Sequence, residues 1–107
     1  MTRGETVANE TIRKMQAVLK HDRNNAEAHR RPAIAYADKG GLLETVDEFQ
    51  AALEINPDDA EVRCSLASVY REQNKPEHAA REYERVLAIQ LDAVQVQRDL
   101  DDEGNGF

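Results

Sequence analysis

Three histidines, one cysteine and a run of carboxylates near the C-terminus are the residues of this chain with chemistry to offer. His21, His29 and His78 show no metal-ligand spacing, and no His-x3-His or glutamate-flanked pair falls on one helix face. They read as surface imidazoles. Cys64 stands beside Arg63, a cation that favours thiolate, but a reactive thiol also needs exposure and free cysteines are usually packed. It reads as a packing residue. The carboxylates from Asp99 to Glu103 lack the Asp-x-Asp-x-Asp-Gly order of a calcium loop and read as a solvating tail. Gly104-Asn105-Gly106 follows no strand and precedes no helix, so it is not a phosphate loop. No serine or threonine stands beside a histidine in a nucleophile motif. The chemistry-bearing residues therefore predict no enzyme, no cofactor and no metal site.

The remaining arithmetic narrows the class further. A chain of 107 residues with a single cysteine is one domain without an internal disulfide, which fits a reducing, cytoplasmic setting. Its longest apolar runs fall far below the ~20 residues that span a bilayer, and residues 1–10 carry no apolar core of a secretory signal. A formal charge of −7 argues against nucleic acid, whose phosphates need clustered Lys and Arg.

Side chains of such a chain must be positioned by repeated elements. Displacing the sequence by 34 residues superimposes Ala26 on Ala60, Glu27 on Glu61, Ala33 on Ala67 and Tyr36 on Tyr70. The same shift sets Glu48 on Glu82, Phe49 on Tyr83, Leu53 on Leu87 and Ile55 on Ile89. A further step back puts Met15 on Phe49 and Leu19 on Leu53. Within each unit the apolar spacing is helical: Ala8, Ile12, Met15 and Leu19 form one stripe, and Leu42, Val46, Phe49 and Leu53 form the next. Gly40-Gly41, Asn56-Pro57 and Asn74 provide the stops, and Asn25 and either Asp58 or Asp59 provide caps. The predicted helices are 5–21, 26–39, 42–55, 60–73 and 76–90, with a short sixth at 93–101 and a frayed tail from Asp99 to Phe107.

The period and its key positions resemble the tetratricopeptide repeat, whose pattern runs W-x2-L-G-x2-Y, then A-x3-F, then P. The first full unit offers His29, Pro32, Ala33, Tyr36, Thr45, Phe49 and Pro57 at those places. The second offers Arg63, Leu66, Ala67, Tyr70, Ala79, Tyr83 and Leu91. The resemblance implies an all-α helical-repeat solenoid of about five antiparallel helices over residues 5–93. A half repeat (5–25) precedes two full ones (26–59 and 60–93), and residues 94–107 form the short helix and acidic tail. Tyr36, Tyr70, Phe49 and Tyr83 are expected to fill the space between helices, with Glu48 on the surface. Pro32 falls inside a predicted helix, where it costs ~3 kcal/mol by deleting a bond to the carbonyl of Ala28. It predicts either a kink or a helix that starts at Pro32.

In members of this family the first helix of each repeat lines a concave face. The resemblance places Glu27, Arg30, Arg31, Ile34 and Asp38 there, followed by Glu61, Cys64, Ser65, Ser68, Arg71 and Glu72. A carboxylate clamp of the kind that reads the C-terminus of heat-shock chaperones is not expected. Ile34 and Asp99 stand at two of its places and cannot donate to a carboxylate, and Arg30, Ser65 and Gln95 do not complete it. The expected function is a non-catalytic module that presents a short groove to a partner protein or peptide. The alternative is a scaffold or self-assembling subunit that associates through the exposed repeat ends, such as Ala8, Ile12 and Met15. An accessory domain of a larger enzyme is a third class.

Overall fold

Residues 3–104 are described by the computed structural model of the chain. Among them there are five helices and no strand: α1 (Arg3–His21), α2 (Glu27–Asp38), α3 (Leu42–Ile55), α4 (Ala60–Glu72) and α5 (Pro76–Gly104). The helices pack in chain order, α1 on α2, α2 on α3, α3 on α4 and α4 on α5. This is the helical-repeat solenoid expected from the period, stretched to 65 × 35 × 22 Å.

The 34-residue period holds at the level of single hydrogen bonds. At the start of each first helix a side chain caps the third N–H beyond it. Asn25 Oδ1 accepts from the N–H of Ala28 and Asp59 Oδ1 from that of Val62, both at 3.1 Å. At the end of each first helix one residue turns left-handed, Gly40 with φ 80° and Asn74 with φ 58°. The next N–H then reaches back, from Gly41 to the Tyr36 carbonyl and from Lys75 to that of Tyr70, both at 2.8 Å. That closure satisfies carbonyls a helix end would leave open and turns the chain sharply into the next helix.

The core forms where the helices meet. Ala33 and Ala67 are fully buried, and Phe49, Leu53, Val62, Leu66, Val69, Tyr70 and Ala79 gather around them. Thr45 is also fully buried, its hydroxyl donating to the Gly41 carbonyl at 2.7 Å. The Tyr70 hydroxyl accepts from Gln50 Nε2 at 3.0 Å, so its polar tip is satisfied.

Several expectations are corrected. Tyr36 is half-buried, and Tyr83, expected between helices, is 37% exposed because among the described residues no helix covers that side of α5. His29 and Glu48 are not independent surface groups. His29 Nδ1 lies 2.8 Å from Glu48 Oε2, and Arg63 Nη1 lies 2.8 Å from Glu82 Oε2 at the equivalent place one repeat later. The separate sixth helix at 93–101 does not exist, and α5 runs unbroken to Gly104, so Asp99–Glu103 is helical rather than frayed. The reason is one residue: Pro57 stops the chain after α3, whereas its equivalent, Leu91, continues a helix. Asn105, Gly106 and Phe107, the rest of the expected tail, lie outside the described residues.

Pro32 lies inside α2, buried, with the helix already formed from Glu27. The alternative of a helix starting at Pro32 is therefore excluded. Its counterpart is Leu66, 1% exposed.

Three stability outcomes follow from this packing. Leu66→Ala should cost about 2–5 kcal/mol in a urea melt. Leu43→Ala, at a side chain 71% exposed, should stay within about 0.5 kcal/mol of the parent. Pro32→Leu restores the missing donor and should raise the thermal midpoint by several degrees. An unchanged or lower midpoint would mean that ring packing outweighs the lost hydrogen bond.

Candidate functional site

The first halves of α1 and the last turns of α2 enclose a groove of about 560 Å³. Gly4, Val7, Ala8 and Thr11 form one wall, and Arg31, Ile34, Ala35 and Asp38 form the other. Its surface is mostly apolar, with Ala8 and Ala35 closing the floor at 5% exposure each. Val7 (58% exposed) and Ile34 (46%) stand open on either side. Arg31 and Asp38 supply one charge of each sign at the rim. Such a cleft, apolar with a few polar groups at its edge, fits the apolar face of a helix better than a small polar substrate.

The groove follows from the repeat. Thr11 and Met15 on α1 are the equivalents of Thr45 and Phe49 on α3. Thr11 Oγ1 donates to the Val7 carbonyl at 3.0 Å, the same one-turn back-bond that Thr45 makes. Yet Thr45 and Phe49 are 0% and 3% exposed, while Thr11 and Met15 are only half-buried. The difference lies in their neighbours: among the described residues α3 packs on both α2 and α4, whereas α1 packs chiefly on α2.

Of the residues expected to form the concave face, Arg31, Ile34 and Asp38 line this groove. Glu27, Arg30 and Glu61 belong instead to a charge network beside it. Glu27 pairs with both Arg30 and Arg31, the latter at 3.4 Å, and Arg30 Nη1 reaches Glu61 Oε1 at 3.8 Å across to α4. The Arg30 hydrogen bond is the largest influence on the Glu27 carboxyl; burial, next in size, opposes it, and the charges of Arg30 and Arg31 help to hold the group below the usual carboxylate range. The same pair pushes the Arg30 guanidinium up. Ser65 is half-buried, and Ser68, Arg71 and Glu72 are exposed further along α4, none of them in the groove. Cys64 is half-buried beside them, its carbonyl accepting from Ser68 Oγ at 3.2 Å.

Of the α1 wall, only Ala8 was anticipated, as part of an exposed repeat end. Gly4, Val7 and Thr11 are unremarkable in composition, and of their counterparts one repeat on Asp38 is exposed, Gly41 half-buried and Thr45 buried, so the repeat marks Thr11 alone. A second hollow, about 680 Å³ and more polar, lies by the α1–α2 connection between Arg23, Asn24, His29, Ala51, Glu54 and Ile55. Its imidazole is already held by Glu48. Among the described residues no group of three His, Cys, Asp or Glu side chains is placed to hold a metal ion. No helix described is long and apolar enough to cross a membrane.

The charge network gives a direct titration outcome. Because the Glu27 carboxyl sits low in the folded chain, its contribution to stability is present above the unfolded carboxylate range. It is lost as pH falls through the folded value. By NMR the Glu27 side chain should titrate below an ordinary glutamate, and Arg30→Met should bring it back up.

Comparison with known proteins agrees with the repeat geometry. The sequence profile of the tetratricopeptide repeat matches residues 48–81. No curated protein matches the chain in sequence. Among solved structures, a crystal structure of MamA superimposes with a TM-score of 0.75 at 14% identity, covering 78% of this chain and 49% of that one. A second crystal structure of MamA protein gives 0.72 at 23% identity over 92% of this chain and 55% of that one. MamA MSR-1 gives 0.71 at 19% identity over 84% and 55%. The chain thus spans about half the length of the solved structures it matches, and at these identities the likeness is one of fold. Residues 48–81 match the tetratricopeptide repeat, and they lie within an array of five successively packed helices.

Proposed function

We propose that this chain is a non-catalytic protein-interaction module whose groove between α1 and α2 receives an α-helical segment of a partner protein. The observation that carries the reading is the half-open state of Thr11, on the α1 wall, against the full burial of its counterpart Thr45. The groove has the walls of a place where this architecture lodges a first helix, so a helix with an apolar face is the ligand it fits. Arg31, Ile34 and Asp38 contact the ligand, and the Glu27–Arg30–Glu61 network sets the charge of the adjoining face. Ser65, Ser68, Arg71 and Glu72 extend a polar surface along α4 for a longer partner segment.

The side chains best suited to chemistry support the non-catalytic reading, because His29 and Arg63 are engaged in pairs that tie neighbouring helices. A net charge of −7 favours protein over nucleic acid as the partner. One half-buried free cysteine fits a reducing, cytoplasmic setting.

The test uses the chain's own first-helix sequence as ligand. A peptide of residues 59–73, titrated into the labelled full chain, should shift the NMR amide signals of Val7, Ala8, Thr11, Ile34 and Ala35. Ile34→Glu should weaken that binding by about ten-fold. Shifts spread over other surfaces, or none at saturating peptide, would refute the groove.

A further inference from the structure

The end of α5 is the other unfinished surface of the molecule. Every residue from Gln90 to Glu103 is exposed, so about 20 Å of helix runs clear of the bundle at 1.5 Å per residue. This segment is not a polar helix. Leu91 (68% exposed), Val94 (49%), Val96 (57%) and Leu100 (56%) lie on it, continuing from Leu87 (59%). An isolated helix of this length is marginal in water, and burying an apolar face is what normally sustains one.

The two ends also differ in charge. Residues 1–31 carry seven Lys or Arg against four Asp or Glu, whereas residues 76–107 carry three against eight. The groove lies in the basic part of the chain, with Arg31 and Asp38 on its rim, and Asp92, Asp99, Asp101, Asp102 and Glu103 make the free helix acidic.

We propose that a second copy of this chain fills the groove, inserting the free end of its α5 between α1 and α2. The inference rests on the groove being a helix seat and names the helix that enters it. Leu91 and Val94 on one side of the axis, and Val96 and Leu100 on the other, give the two walls something apolar to cover. The acidic residues face the basic end of the neighbouring copy. The insertion is between copies. With short connections the helices alternate in direction, so α5 leaves the bundle past the α3–α4 connection. The groove lies toward the opposite end of the helices, where α2 turns into α3. Because groove and helix are different surfaces, the contact is heterologous and each copy keeps one unused site of each kind. Such contacts extend into open chains or close into rings.

Full-length protein in sedimentation and light scattering tests this directly. The average mass should rise with concentration and fall with added salt, as charge attraction between the ends is screened. Ile34→Glu, in the groove, and Leu91→Glu/Leu100→Glu, on α5, should each weaken association by about ten-fold or more. The α5 variant adds acid to an already acidic helix, so its loss of association reports apolar burial rather than charge. All altered side chains are at least 46% exposed in the parent, and matching circular dichroism spectra confirm the fold. The decisive arm mixes the two variants. One still offers a helix and the other a groove, so the mixture should form a dimer that grows no further. A mass that stays monomeric at every concentration would overturn the proposal. So would a mixture that fails to dimerise, or association lost on α5 but untouched by Ile34→Glu, which would signify α5 pairing with α5. The peptide of residues 59–73 separates the two readings. If it binds a chain that never self-associates, the groove stands and only self-docking falls. If neither occurs, both fall.

Discussion

The architecture depends on how closely paired helices approach at Ala33 and Ala67, both with no exposed surface. A methyl group is the largest side chain either position holds, and it lets two backbones draw near enough for Phe49, Leu66 and Tyr70 to interdigitate around the contact. A larger residue there would hold the helices apart and open the voids that interiors do not tolerate. Everything else in the chain serves this approach, including turns that reverse direction within a few residues and caps that start each helix at the right place.

Around that contact the same polar ties recur. His29–Glu48 joins α2 to α3, and Arg63–Glu82 joins α4 to α5, with equal separations of 2.8 Å. The cation changes from imidazole to guanidinium while the glutamate stays. Partly buried pairs of this sort add little net stability, because desolvation offsets much of the attraction. Their value is in register: a helix displaced by one residue would leave a carboxylate in the interface without its partner.

A repeating structure makes its ends informative. In the interior each face is covered by the next helix. Beyond α1 and α5 the described residues leave the same faces open, and a half-buried Met15 or an exposed Leu87 is a core residue without its neighbour. The charge imbalance between the ends sets these surfaces apart: an apolar cleft with one charge of each sign at its rim, in the basic part of the chain, and an acidic rod at the other end. An array of this kind can bind through what its interior would have buried, and needs no catalytic group to do so.

The period, the helix-forming stripes, the caps at Asn25 and Asp59 and the left-handed positions at Gly40 and Asn74 were all legible in the residues. Each acts through its own backbone or through neighbours within four or five positions. The number of helical pairs and their order followed from the same signals. Where α5 ends was also written locally, in Leu91 taking the place of Pro57, but a missing stop is weaker to read than a present one. Only the tertiary structure decided which members of each stripe are covered. Tyr70 and Tyr83 are both aromatic residues on a helical stripe, yet one is buried and the other open, because coverage depends on a helix distant in sequence. The groove is the same case: Arg31, Ile34 and Asp38 were visible as one face of a helix, but Val7 and Thr11 became a wall only when α1 packed beside α2. Burial is set by what stands across the gap, and no residue carries that in its own side chain.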